Sequence, residues 1–387
     1  MPTDTINPDG TQTWRFTLKR GVRFQDDACF PEGKGREMTA EDVFYSWRRL
    51  ADPRYEYENW WLFAGTIKGF DAYKDEQAEL VRQGKAFDYA APVEGLRLIN
   101  SHEFEVVLNK PVYRFLYVLT QFQTAVVPRE AVERYGSEFS RRPVGTGPFM
   151  VRPGDWRQGE RLVFTRNPNY REELYPSELP ADPDLAARDR QLGFDRDAGK
   201  RLPLLDRIEI SFYVPDNAMW LDFKAGKLGF VQVPAEFYEE AFVLRTRRLR
   251  QEWADRGFVS HEVPLLDFIF RGFNMEDPVV GGYTPERRAL RQAMSLAIDL
   301  DEMNRKFYNG LNTVYDGPIP PGLDGHPENG EAPVSYRGPD LDLARELLAK
   351  ETRPALNWLL SRNQAFVLRA SPYTYGWLPP PLLRLEV

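Results

Sequence analysis

Two periodicities stand side by side near the start of the chain, and together they restrict its fold more than any other feature. Trp14, Phe16 and Leu18 alternate with Arg15, Thr17 and Lys19, the two-residue period of a half-buried strand, and Gly21 interrupts it before Val22 and Phe24. Thr39, with Asp42 three residues on, has the spacing of a capping box, and Val43, Phe44, Trp47 and Leu50 follow at helical spacing until Asp52-Pro53 stops them. A hairpin-like opening that runs into an amphipathic helix calls for mixed α and β layers.

The mixture continues downstream. Leu96 and Leu98, then Phe104, Val106 and Leu108, alternate with polar residues around a Ser-His turn, which predicts two strands, and a helix is expected over 113–119. Gly145-Thr146-Gly147-Pro148 precedes short strands at 149–151 and 162–164, with Asn167-Pro168-Asn169 as the next turn. Residues 173–203 lack a clear period and read as a long surface loop. A strand is expected at Ile208, Ile210 and Phe212, then a helix over 219–223 closed by Gly226. Phe268 to Phe273 reads as an aromatic-rich strand. Thr284-Pro285-Glu286 caps a helix with Leu290, Ala293, Met294 and Ala297 on one face, and Asp299 caps another that Met303 and Phe307 keep buried. Asp340 opens a last helix through Leu343, Leu347 and Leu348, after which periodicity fades. The fold class expected is α/β, in the mixed α+β sense.

Composition narrows function by exclusion. At 387 residues the chain is long enough for roughly two or three domains, each with its own core. A net charge of -7 and no large Lys/Arg block argue against nucleic acid as a partner and disfavour an anionic membrane surface. No stretch of 18 apolar residues occurs, and Met1 to Gly10 has neither the basic head nor the apolar run of a signal peptide. The one cysteine, Cys29, rules out an internal disulfide framework and reads as a small buried apolar residue.

The signatures of common catalysis are missing, and no catalytic residue and no cofactor are assigned. There is no G-x-S-x-G elbow and no H-E-x-x-H, and His102, His261 and His326 are far apart beside turns, where they read as solvated turn or strand-end residues. Gly193, Gly199 and Lys200 miss the phosphate-loop pattern because Arg201 stands where a hydroxyl is required, and Gly145 and Gly147 lack the third glycine of a dinucleotide fingerprint. No metal ligand set is assigned. A pair of carboxylates acting as a hydrolase dyad remains an alternative, discriminated by turnover of a peptide or glycoside.

Taken together, residues 14–24 (WRFTLKRGVRF) and 38–50 (MTAEDVFYSWRRL) resemble the opening signature of the family 5 solute-binding proteins of bacterial ABC importers, the oligopeptide-, dipeptide- and nickel-binding subunits. Gly145-Thr146-Gly147-Pro148-Phe149, Arg166-Asn167-Pro168-Asn169-Tyr170, Phe273-Asn274-Met275 and the stretch from Leu290 to Asp299 are similar to later family blocks, in order, over roughly residues 11 to 350.

The resemblance implies a two-lobed periplasmic-binding-protein clam-shell with an extra inserted domain, closing on its ligand by hinge motion, incomplete in this chain. It divides the sequence into 1–45 as part of domain I, 46–145 as the domain II-like insertion, 146–262 as the remainder of domain I, 263–350 as the start of domain III, and 351–387 as a non-native tail, with a frameshift near Lys350 and a late start as explanations for the ends. It further implies a peptide ligand added as a strand, an ABC permease of the inner membrane as partner, a monomer, and a periplasmic or lipid-anchored parent protein. By position, Tyr57, Trp60 and Trp61 are expected at the cleft, with Arg271 and Phe273 on the aromatic strand, where Arg271 would favour acidic ligand side chains. A nickel or oligosaccharide binder of the same family, or a non-functional fragment, are the other readings.

Overall fold

The computed structural model describes residues 1–55, 58–262, 269–270, 272–315, 317, 319–326 and 339–351. Contacts divide the chain into two compact units, Met1–Val214 and Pro215–Val387.

In the first unit an antiparallel sheet runs β1-β2-β4-β3, built from β1 (Thr3–Ile6), β2 (Gln12–Thr17), β3 (Leu96–Asn100) and β4 (Glu103–Leu108). The β2 alternation holds, with Trp14 opposite Val106 and Phe16 opposite Phe104. Strand β1 goes beyond the sequence reading. Its signal is the Asn7-Pro8-Asp9-Gly10 turn, in which Gly10 takes φ +84° and Asp9 accepts hydrogen bonds from the Thr11 N–H and hydroxyl. In β3 only Leu96 is buried. Leu98 is exposed because β3 is the sheet edge and its register shifts between Leu98 and Asn100.

Helix α1 (Ala40–Arg49) begins where the capping box predicts, the Thr39 N–H donating to the Asp42 carboxylate at 2.8 Å. Its apolar face lies on the sheet, and Phe44 meets Phe104 edge-on at 5.3 Å between ring centres. Helix α2 (Phe70–Arg82) adds Phe70 and Tyr73 to the same core, which takes in Trp14, Trp47, Phe63, Ile67, Val106 and Phe115. Each such side chain contributes about 2 kcal/mol by leaving water. Helices α3 (Phe115–Val118) and α4 (Arg129–Tyr135) follow, the first inside the predicted span.

A second sheet centres on β7 (Arg161–Arg166), with β5 (Phe149–Met150), β6 (Trp156–Arg157) and β8 (Arg207–Ser211) paired to it. The span 173–203 is not a plain loop. It holds α5 (Pro183–Leu192), whose Asp182 accepts the N–H groups of Asp184 and Leu185 and whose Gly193 ends it at φ +74°. Asp-Pro before and Gly after were the readable signals, and only a weak apolar face concealed them.

The second unit is mainly helical. Helix α6 (Asp216–Lys224), α7 (Tyr238–Ala241), the short hairpin β9 (Phe242–Val243) and β10 (Arg248–Leu249), and α8 (Gln251–Ala254) enclose Trp220 and Trp253, with Phe223, Phe237 and Phe258 stacked around them. Helix α9 (Pro285–Leu296) buries Ala289, Leu290 and Ala293, and α11 (Leu341–Glu351) packs against it. Two expectations change here. Ile269, Phe270, Gly272 and Phe273 belong to no strand, and α10 (Leu300–Phe307) buries no residue completely, Phe307 being half exposed. Helical period shows which face is apolar, but not whether anything covers it.

Candidate ligand-binding site

Three sequence blocks that are far apart in the chain meet in the first unit. The Gln25 N–H donates to the Gly145 carbonyl at 3.0 Å, and its side-chain amide donates to the Pro143 carbonyl. The Asn169 amide donates to the Phe24 carbonyl at 3.0 Å and to Asp26 at 2.7 Å, while the Asn167 amide donates to the Gly147 carbonyl at 2.8 Å. Gln25 and Asn167 are buried, so these bonds satisfy polar groups that would otherwise cost about 1–3 kcal/mol each. The Lys34 ammonium, the Gly35 N–H and the Asn169 amide hold the Asp26 carboxyl down to about 2. Gly35 is required by space, because a Cβ there would lie 2.0 Å from the Phe24 carbonyl oxygen.

A second junction ties α1 to α4. The Arg36 guanidinium grips Asp42 at 2.8 and 2.7 Å and Glu130 at 2.6 and 2.9 Å, two fork-like contacts that raise the basicity of Arg36 and keep Glu130 below its ordinary range. Asp42 therefore serves the helix cap and the junction together. The sequence pointed only to the cap, since a partner 94 residues away has no local signature.

The segment after α1 is anchored by Asp52, almost fully buried, which accepts from Arg54 and from the Tyr89 hydroxyl, both at 2.6 Å. Burial works against its charge, but those partners prevail and keep it ionised below the usual range. Next comes a 3-10 helix, Glu58–Leu62, that carries two of the expected cleft residues. Trp60 turns inward: its ring meets Phe70 at 5.0 Å, its Nε1–H donates to Asp71 at 2.8 Å, and the Lys74 ammonium lies over its face. Trp61 turns outward and is 64% exposed. Tyr57 and Arg271 lie outside the described residues, and Phe273, in the second unit, is half-buried. Other exposed aromatic side chains, unsuspected from the sequence, are Tyr113, Tyr117 and Phe122, in and around α3.

Recesses open among the described residues of both units. One of about 370 Å³ in the second unit is lined by Lys224, Glu240, Arg250, Trp253 and Arg256, and one of about 240 Å³ in the first by Arg166, Asn167, Tyr170 and Arg201. No cluster of three or more His, Cys, Asp or Glu side chains gathers among the described residues. Cys29 is half-buried, and burial together with Asp27 pushes its thiol up to about 12, so it stays protonated. His102 does sit at a turn but is buried rather than solvated, which corrects the sequence reading.

These junctions join the first-unit blocks of the family resemblance, and the chain belongs to that family. It matches the bacterial extracellular solute-binding proteins, family 5 (middle), over residues 3–371, wider at both ends than the 11–350 read from the sequence. The periplasmic oligopeptide-binding protein OppA of Escherichia coli is 30% identical over 165 residues, 41% of this chain and 26% of that one. Heme-binding protein A of Haemophilus influenzae is 21% identical over 356 residues, 90% of this chain and 52% of the relative. Among solved structures, the murein tripeptide binding protein MppA of Escherichia coli superposes with a TM-score of 0.56 at 18% identity, covering 93% of this chain and 57% of that one. The DppA binding protein of Helicobacter pylori, in complex with the peptide STSA, gives 0.55 at 18% identity over 91% and 56%. The mixed α/β fold is thus that of the family 5 periplasmic binding proteins. The chain spans at most about half the length of these curated relatives.

Proposed function

We propose that this chain is the substrate-binding component of an ABC importer, capturing a peptide between two closing lobes and presenting it to a permease in the inner membrane. The observation that carries this reading is the family match across residues 3–371. A binding protein of this kind performs no chemistry on its cargo. The parent protein would be a periplasmic or lipid-anchored monomer, with the segments 1–45, 46–145, 146–262 and 263–350 taking the domain roles set out from the resemblance.

Within it, Tyr57, Trp60, Trp61, Arg271 and Phe273 form the proposed ligand contacts. Trp61 supports this by its exposure, since a rigid aromatic ring already facing water gives contact area at small entropic cost. Trp60, fixed by Asp71 and Phe70, supports it as the platform that holds its neighbour in place. Arg271 would select acidic ligand side chains. Calorimetric titration with tri- and tetrapeptides of opposite charge tests the proposal. Micromolar binding that favours acidic peptides and weakens in Trp61→Ala and Arg271→Ala is expected, whereas equal binding of both charges in all variants would refute the site.

A second reading, heme as cargo, has one specific observation behind it: the heme-binding relative matches 90% of this chain. Titration with hemin separates the two, because a saturable change in its absorbance that peptides do not compete away would replace the peptide reading.

A further inference from the structure

The turn between β3 and β4 carries a hydrogen-bonded series that a binding role does not use. Ser101 Oγ lies 2.9 Å from His102 Nδ1, and His102 Nε2 lies 3.0 Å from Glu37 Oε1. His102 is only 8% exposed, while Ser101 faces solvent. The Glu37 carboxylate is itself fixed, accepting the Gly21 N–H at 2.5 Å, and that bond together with His102 keeps it ionised. An ionised acceptor against Nε2 dictates the tautomer: Nε2 carries the proton, and the Nδ1 lone pair is left for the Ser101 hydroxyl.

Three hydrogen bonds hold the backbone of this turn. The His102 N–H donates to Asn100 Oδ1 at 2.9 Å, the His102 carbonyl accepts the Leu18 N–H at 2.7 Å, and the Ser101 carbonyl accepts the Ala40 N–H at 2.8 Å. The residue after β2, the start of α1 and the Glu37 side chain therefore all meet the β3–β4 turn. A hydroxyl beside a base, with that base oriented by a carboxylate, is the arrangement that activates a nucleophile.

We propose that Ser101 is an activated serine that takes acyl groups from small activated esters, with His102 as its general base and Glu37 as the positioning residue. Ser101 Oγ attacks the ester carbonyl carbon while its proton passes to His102 Nδ1. The bond from that carbon to the alcohol oxygen breaks, and the leaving group departs with the proton from Nδ1, giving an acyl-serine. Water then attacks the acyl-serine, delivers a proton through Nδ1 back to Ser101 Oγ, and releases the carboxylic acid. Ester plus water thus gives acid plus alcohol, with no other reactant. The exposure of Ser101 leaves its hydroxyl accessible to small activated esters such as short aryl esters. Assistance by a positioned base is worth about 10²–10⁴-fold in rate.

The test uses the full chain and p-nitrophenyl acetate, following phenolate release and locating the acetyl group by peptide mass mapping. Acetylation at Ser101 is expected, with release lost in Ser101→Ala and lowered in Glu37→Gln. A Ser101→Cys variant should recover an initial burst. Mapping on the unaltered protein does not depend on any variant folding: acetyl groups found only on lysines or tyrosines, or release unchanged in a folded Ser101→Ala protein, would overturn the proposal.

Discussion

The two compact units bury their aromatic residues in different ways. In the first, Trp14, Phe44, Trp47, Phe63, Phe70 and Phe104 come from strands and helices that lie far apart in sequence and are locked by a four-stranded sheet. In the second, Trp220, Trp253 and their ring neighbours form a small local cluster within about forty residues, and much apolar surface stays in water: Phe230, Tyr283, Ile269 and Phe270 are all exposed. Long-range pairing gives the first unit a large core, beside a smaller one of Phe24, Phe30, Ala131 and Val144. The aromatic cluster of the second is small and local, and that contrast sets how each should respond to damage.

The largest effect is expected from Phe104→Ala. It removes a ring buried between Phe16, Phe44 and Trp47, and should cost about 3–5 kcal/mol, measured by urea unfolding followed through near-ultraviolet circular dichroism. The matching change in the second unit, Trp220→Ala, should cost about 3 kcal/mol and leave the first unit's transition in place. If both substitutions shift a single shared transition equally, the units are not independent and the comparison fails.

Next in size is Asp42→Ala, which strips the α1 cap and takes one of two carboxylates, Asp42 and Glu130, from Arg36. A loss of about 2 kcal/mol is expected, moderated because Arg36 is about a third exposed. Asp42→Asn should recover part of it through the cap. The cap and clamp would be separable if Arg36→Met costs as much as Asp42→Asn.

Acid should act on the first unit through Asp26, Glu37, Asp52 and Glu130, which all sit below their ordinary values, as Glu240, Asp277 and Glu286 do in the second. A depressed carboxyl contributes stability that is present above its unfolded value and lost as pH falls through the folded one. For Asp26 that window runs from 3.8 down to about 2. Denaturation midpoints measured through this range should fall, and Asp26→Asn should flatten the slope; an unchanged slope would mean that Lys34, Gly35 and Asn169 do not hold this carboxylate in solution.

The smallest effect is expected from Trp61→Ala, within about 0.5 kcal/mol, against about 2 kcal/mol for Trp60→Ala next to it. Equal losses would show that the two rings do not diverge as they do here.

Much of the fold was legible in short-range pattern. The β2 alternation, the Thr39–Asp42 cap, the β3–β4 pair, β8, and the capped starts of α9 and α10 all follow from side-chain period and helix-end chemistry. Strand β1 and helix α5 were present in the sequence as Asn-Pro-Asp-Gly and Asp-Pro…Gly, but weak apolar patterning hid them. The 268–273 stretch had the composition of a strand, yet its described residues Ile269, Phe270, Gly272 and Phe273 lie in no strand. Composition favours extended backbone, but ladder pairing is what makes a strand.

What the sequence determined by itself, then, was the family and the local elements, because both are written in neighbouring residues: periods of two and 3.6, caps, turns and ordered blocks. Only the tertiary structure decided which polar groups work together. Arg36 with Glu130, Asp52 with Tyr89, Asn169 with Asp26, and Glu37 with His102 and Ser101 are separated by tens of residues or more, and Trp60 differs from Trp61 only in the direction it turns. Hydrogen bonds and ion pairs depend on distance and angle in space, so residue type announces that such a bond is possible, and chain packing alone selects its partner.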